Sequence, residues 1–195
     1  MRFFCINLRR ATERRRHCEE QFRAAGLDVT FIRGFDGRAS RLHHEEEWVS
    51  SQIGASISHI MAVEEIRHND YGPSVIFEDD VVLEPDFSHK LDAALCSLPV
   101  DWDVAALSWF TSGEGAEFRS VNDHWQKFTA GNVWGQDCYL VNGAKGAEAV
   151  LDCITPIRSH IDRMFWESCR DGQMTGYFIK QQFVKQGGGF PSQNI

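Results

Sequence analysis

Residues 75–83 read Val75-Ile76-Phe77-Glu78-Asp79-Asp80-Val81-Val82-Leu83. A hydrophobic strand is broken at one point by three consecutive carboxylates. Adjacent acids repel one another, and burying them without compensation is costly. Two readings fit the triplet. The acids are solvated at an exposed strand end, or they close a buried strand and hold a cation. In the second reading the ligands are hard oxygens, which suit Mg²⁺ or Mn²⁺ shared with substrate phosphates.

Strands and helices alternate around this stretch. Residues 2–8 read as a strand, and residues 11–25 as a helix by length and Arg/Glu content, closed by Gly26. Residues 28–33 alternate as a second strand. Residues 34–50, with Gly34, Gly37, His43-His44 and Glu45-Glu46-Glu47, read as an exposed loop. Ser50-Ser51 can cap a helix running to about His68, with Ile53, Ile57, Ile60, Met61 and Glu64 as its apolar stripe. A turn follows at 69–73.

Downstream, Pro85 suits the first position of a helix carrying Phe87, Leu91, Leu95 and Leu98. Further strands are expected at 104–107, 128–133, 138–141 and 177–179, with short helices at 143–153 and 161–169. Residues 111–125 are polar and Gly-bearing and read as a mobile loop, and Gly187-Gly188-Gly189 as a flexible tail. There is no internal repeat, low-complexity segment or linker. This pattern predicts an α/β domain over 1–195: an open, mostly parallel twisted sheet flanked by helices. Ligands of such sheets bind beyond the carboxyl ends of the strands. Asn7-Leu8-Arg9-Arg10, Gly34-Phe35-Asp36-Gly37 and Glu78-Asp79-Asp80 all fall there, which favours the cation reading.

Composition bounds the rest. The 195 residues are 43% hydrophobic and 25% charged with a net charge of −8, so one sizeable domain is expected. No basic excess is available to neutralise a nucleic-acid backbone. Residues 1–8 are too short an apolar stretch for a signal peptide, and no run approaches the roughly 18 apolar residues of a membrane span. Cys5, Cys18, Cys96, Cys138, Cys153 and Cys169 are scattered without metal-binding spacing and read as reduced thiols.

The chemistry follows from the clusters. A cation on Asp79 or Asp80 can bridge the phosphates of a nucleotide diphosphate and neutralise a leaving group. Arg9, Arg10, Arg14, Arg15 and Arg16 can add to it, with Arg10 and Arg14 on one helix face, although Arg15 and Arg16 fit a solvated face better. There is no P-loop, no G-x-G-x-x-G and no G-x-S-x-G. His59 reads as a packing residue or a site residue. Asp162 reads as a helix N-cap or a general base. Trp109, Trp125 and Trp134 read as core or as platforms for sugar faces.

The order Ile6-Asn7-Leu8, Arg14, Gly54-Ala55-Ser56-Ile57-Ser58-His59, Phe77-Glu78-Asp79-Asp80-Val81, Gly135-Gln136-Asp137-Cys138-Tyr139-Leu140-Val141, Ile161-Asp162, Gln186 and Ser192 resembles the family 25 glycosyltransferases. These include bacterial lipooligosaccharide galactosyltransferases and collagen-modifying relatives. The resemblance runs in order along nearly the whole chain. It implies a GT-A-like nucleotide-sugar-binding domain, a UDP-sugar donor (often UDP-galactose), Mn²⁺ or Mg²⁺, and inversion at the anomeric carbon. It implies that Asp80 ligates the metal directly and that Asp79 helps bind the metal or the donor. Glu78 belongs to the same donor-binding element. Asn7, Leu8, Arg9, Arg14 and Asp36 would border the nucleotide, Ser58 and His59 would shape the donor pocket, and Asp162 gains as base or sugar contact.

The sequence departs from the family at Asp137-Cys138, where small residues are usual, in a short 34–53 loop, and in lacking a basic C-terminal extension. The expected partners are a nucleotide-sugar donor and a glycan or glycolipid acceptor, in the cytoplasm with at most peripheral membrane contact. Competing readings are another nucleotide-sugar enzyme, such as a nucleotidyltransferase, and a degenerate carbohydrate-binding module.

Overall fold

The computed structural model describes residues 1–38, 47–111, 115–187 and 189, with the backbone alone for 47–49. His43-His44, Glu45-Glu46, Gly188 and Ser192 lie outside the described residues. The elements are β1 (Arg2–Asn7), α1 (Thr12–Ala24), β2 (Val29–Arg33), α2 (Glu47–His68), β3 (Ser74–Glu78), β4 (Val81–Leu83), α3 (Phe87–Cys96), β5 (Val104–Ala106), β6 (Glu117–Ser120), β7 (Trp125–Ala130), β8 (Cys138–Val141), α4 (Gly143–Ile154), α5 (Ile161–Arg170), β9 (Gly176–Ile179) and β10 (Val184–Gln186).

Among the described residues an eight-stranded sheet has the order β2-β1-β3-β8-β5-β9-β7-β6, and β10 pairs with β4 as a separate ribbon. β2, β1, β3, β5, β9 and β6 run one way, and β8 and β7 run against them. The sheet is therefore mixed and mostly parallel. Because β8 is reversed, its first residues reach the same edge as the last residues of β3 and β5.

Helices cover both faces, so the central strands are near-continuous apolar runs. Side chains alternate across the sheet. Phe4, Ile6, Ile76, Tyr139 and Val141 pack with α2, α4 and α5, whereas Cys5, Val75, Phe77 and Leu140 pack with α1 and α3. All six cysteines are free, and Cys5, Cys18, Cys138 and Cys153 are buried as small hydrophobes.

Several local expectations are corrected. α2 starts at Glu47, so Ser50 and Ser51 are buried inside the helix and do not cap it. Its buried side is Ser58, His59, Ala62, Val63 and Ile66, while Met61 is exposed. That side faces a loop and a carboxylate strand, so it carries small and polar groups where an apolar stripe would otherwise stand. Arg10 lies in the turn before α1 and shares no helix face with Arg14. α3 starts at Phe87, with Asp86 at its N-cap in a left-handed conformation and Pro85 ahead of it.

The strand expected at 128–133 is Trp125–Ala130, and the 111–125 segment contains β6, which pairs with β7. β4 and β10 had no separate signal, being three residues each. Among the described residues, no helix is long and apolar enough to cross a membrane.

Candidate active site

A cleft of about 330 Å³ opens at the carboxyl edge of β1, β2 and β3, lined by Leu8, Arg10, Arg14, Asp36, Ser58, His59, Glu78, Asp79, Asp80 and Gln186, among others. That size suits a small-molecule site. The three polar clusters picked out in the sequence converge on it. Arg9 lines an adjoining cavity with Arg33 and Met61, which shares Arg10, Phe35 and Asp36 with the cleft.

The first wall is built by the β1–α1 turn. Asn7 is buried and donates Nδ2–H to Asp79 Oδ2 at 2.7 Å and to the Ala11 carbonyl at 3.2 Å, tying the turn to the acidic triplet. Arg14 reaches inward from α1, with Nη1 2.7 Å from Asp79 Oδ1 and 3.3 Å from Asp80 Oδ2. Both Asp79 oxygens are thus engaged by protein donors. Asp79 anchors Arg14 and Asn7, and it stands outside the cluster that could hold a metal.

The second wall is the loop after β2. Ser58 Oγ accepts from the Phe35 N–H at 2.8 Å and donates to the Gly54 carbonyl at 2.7 Å. A Cβ on Gly54 would stand 2.8 Å from Gly37 N and 2.9 Å from Phe35 O, so helix and loop pack backbone against backbone. Asp36 pairs with Arg10 Nε at 2.7 Å at the cleft mouth. Ser58 therefore acts by holding the 35–37 loop.

The floor is acidic. Glu78, Asp80 and Asp137 each place a carboxylate oxygen within 4.8 Å of the others'. They come from the end of β3, from the β3–β4 turn and from the residue before β8. Burial is the first cause that pushes each of these carboxyls up, and the charges of the neighbouring acids add to it. Asp137, 2% exposed, is pushed up to about 8. Arg14 opposes the rise at Asp80 and Glu78. Asp80 Oδ1 is buried without a hydrogen-bond partner among the described residues. An orphaned carboxylate oxygen amid mutually repelling acids fits a divalent cation, which would satisfy it and discharge the cluster. Glu78, Asp80 and Asp137 would hold that ion.

Behind the floor runs a buried polar chain. His59 Nδ1 lies 2.9 Å from the Tyr139 hydroxyl and His59 Nε2 lies 3.1 Å from Glu78 Oε1. Burial pushes the imidazole down to about 4, against the pull of nearby Asp162. The ring is therefore neutral at pH 7, with one nitrogen donating and the other accepting. It fixes the direction of the Glu78 carboxylate.

Asp162 lies in the first turn of α5, with His160 at the N-cap position. It does not cap the helix. Its Oδ2 accepts the Gly135 N–H at 2.8 Å, and its charge is felt at Glu78, Asp137 and Tyr139. Asp162 thus lies near the acidic floor, at the start of α5, and is not among the residues that line the cleft.

The family model for glycosyltransferase family 25 (LPS biosynthesis protein) matches residues 1–186. The chain belongs to glycosyltransferase family 25. The solved structure of a glycosyltransferase involved in glycosylation of the major capsid of PBCV-1 is similar over 98% of this chain and 95% of its own, at 11% identity and a TM-score of 0.53. The A197 protein of STIV is similar over 95% of this chain and 84% of its own, at 12% identity and a TM-score of 0.46. No curated protein matches the chain. The fold of this family 25 chain is GT-A-like, and membership supports sugar transfer in general.

Sequence reasoning gave no site role to two residues that the structure places in or beside the acidic cluster. Asp137 is an isolated acid, seen only as a departure from the usual small residues. Tyr139 enters only as part of the Gly135–Val141 stretch of the resemblance, with no role of its own. The one available signal was that a strand reversed beside β3 would deliver the residue before Cys138 to the triplet.

Proposed function

We propose that this chain transfers a hexose, with galactose the first candidate, from a UDP-sugar to a hydroxyl of a glycan or glycolipid acceptor such as lipooligosaccharide, with inversion. The observation that carries the reading is the gathering of Glu78, Asp80 and Asp137 beneath a cleft lined by Arg10 and Arg14 at the carboxyl edge of the sheet. Phosphates are favoured near such guanidinium groups and near the first turn of α1.

In the reaction the acceptor oxygen attacks the anomeric carbon as the bond from that carbon to the diphosphate breaks, and UDP leaves with the bonding electrons. Asp162, near the floor, takes the hydroxyl proton. Asn7, Leu8 and Asp36 border the nucleotide, and Arg14 balances charge beside Asp79 and Asp80. Ser58 and His59 keep the loop and Glu78 in place, so orientation supplies much of the rate. When bound, Mn²⁺ or Mg²⁺ supplies Lewis-acid neutralisation of the leaving diphosphate. A nucleotide-sugar donor fits a cytoplasmic location, with at most peripheral contact with a membrane carrying a glycolipid acceptor.

The test is release of UDP from a panel of UDP-sugars with Mn²⁺ and with EDTA. Metal-dependent release from one donor is expected. No release from any donor, with no Mn²⁺-dependent UDP binding, would sink the transferase reading.

A further inference from the structure

The leaving diphosphate and the attacking hydroxyl must lie on opposite sides of the anomeric carbon. If the donor phosphates face Arg10 and Arg14, the acceptor arrives from the Asp162 side of the carboxylate floor. On the transferase reading, the acceptor side is then the wall around Gly135, whose N–H binds Asp162.

That wall is built with care. Phe110 and Trp134 exchange backbone hydrogen bonds, each N–H to the other's carbonyl at 2.9 Å. Gly135 follows with φ +93°, its N–H bound by Asp162 Oδ2 at 2.8 Å and its carbonyl by Trp166 Nε1–H at 2.9 Å. A Cβ there would stand 3.1 Å from the Phe110 ring and 3.4 Å from Asp137 Oδ2, so ring and carboxylate close in on the same bare backbone. Phe110 is nonetheless 46% exposed as a residue. The Trp134 ring is half-buried and meets His160 edge-on, with centroids 5.8 Å apart.

The structure also separates the tryptophans that had been grouped as sugar platforms. Trp125 is fully buried and its Nε1–H binds the Ala94 carbonyl at 3.0 Å. Trp109 packs on Phe118 and its Nε1–H binds the Ile179 carbonyl at 3.0 Å. Trp134 Nε1–H is enclosed and has no hydrogen-bond partner among the described residues. An enclosed, unpaired donor is unusual in a folded protein. Here it belongs to the residue before Gly135, whose backbone pairs with Phe110 and whose ring meets His160.

We propose that Phe110 and Trp134 form the acceptor subsite. The apolar face of the acceptor's terminal pyranose rests on the Phe110 ring, and one of its hydroxyls takes the Trp134 indole N–H, which leaves a neighbouring hydroxyl toward Asp162. An aromatic face beside convergent polar groups is the chemistry that recognises a sugar ring, apolar on one face and hydroxylated at its rim.

The test is a titration of ¹⁵N-labelled protein with methyl β-D-galactopyranoside and methyl β-D-glucopyranoside, followed at the indole N–H resonances. Trp134→Phe assigns the Trp134 signal by its loss and keeps an aromatic ring. The Trp134 signal is expected to move with at least one glycoside while that of Trp125 stays. Phe110→Ala, at an exposed position, should weaken the titration about 3- to 10-fold and leave UDP binding unchanged. No movement of the Trp134 signal with either glycoside, or an unaltered titration in Phe110→Ala, overturns the subsite. A protein that binds glycoside at Trp134 but releases no UDP from any donor keeps the subsite and loses the transferase reading. UDP release without a response at Trp134 does the reverse.

Discussion

Replacing Asp137 with Asn should make the cation-free protein more stable. Asp137 is pushed up to about 8, first by burial and then by the Glu78 and Asp80 charges. An unfolded Asp titrates near 3.9. Between those values the folded state holds a proton that the unfolded state has released, so stability is fully present below about pH 4 and is lost as pH rises toward about 8. One group contributes about 1.4 kcal/mol per pH unit, or roughly 4 kcal/mol by pH 7. Asn stays neutral and keeps an oxygen to accept the Ser108 O–H that now lies 3.1 Å from Oδ2. The variant should therefore recover a few kcal/mol near neutrality, a rise in melting temperature of roughly 5–15 °C for a chain of this size. It should also lose most of the stabilisation given by Mn²⁺, having lost one of three carboxylates. Thermal melts from pH 5 to 9 with EDTA and with Mn²⁺ measure both effects. Wild type should soften toward pH 8 in EDTA and regain stability with Mn²⁺. A variant that melts below wild type at pH 8 in EDTA, or that keeps the full Mn²⁺ shift, would refute the reasoning.

Asp80→Asn should abolish UDP release while the melting temperature in EDTA holds or rises; unchanged turnover would remove Asp80 from the site. Arg14→Met breaks a pair whose side chains are 6% and 9% exposed, and should cost about 3–5 kcal/mol in urea unfolding, with part recovered in the double variant with Asp79→Asn. An additive double variant would mean that the two side chains act independently. Gly54→Ala drives a methyl against the backbone of Phe35 and Gly37. It should cost about 1–3 kcal/mol and weaken UDP binding by calorimetry. Wild-type affinity would show that the 35–37 loop does not contact the nucleotide.

What the sequence made legible was the side of the cleft built by β1, β3 and the acidic triplet. β1, β3 and the triplet are contiguous, locally patterned stretches, and their periods and turn residues are visible without tertiary context. The parallel β2-β1-β3 arrangement follows from the intervening helices. The acidic floor was only partly legible. Asp137 joins Glu78 and Asp80 through antiparallel pairing of β3 with β8, a contact between distant segments that no local period encodes. The buried side of α2 was misread for a related reason. Its inward positions serve a loop and a carboxylate, so Gly54, Ser58 and His59 replace the large apolar residues that make an amphipathic stripe visible. The roles of the tryptophans depend on which indole N–H finds a partner, and only the packed structure decides that.

The ribbon of β4 and β10 has a consequence for how the floor holds together. Glu78 belongs to the central sheet and Asp137 adjoins it, but the Asp80 carbonyl accepts the Gly187 N–H at 3.0 Å, just past the end of β10. The three carboxylates thus belong to two structural units of unequal size. Short ribbons open at lower free energy than the sheets they flank. A ligand bound by all three carboxylates would fasten the ribbon to the sheet. Amides of Val184–Gln186 would then exchange with solvent more slowly in the liganded protein than in the bare one, which makes the last strand of the described chain a built-in reporter of occupancy at its centre.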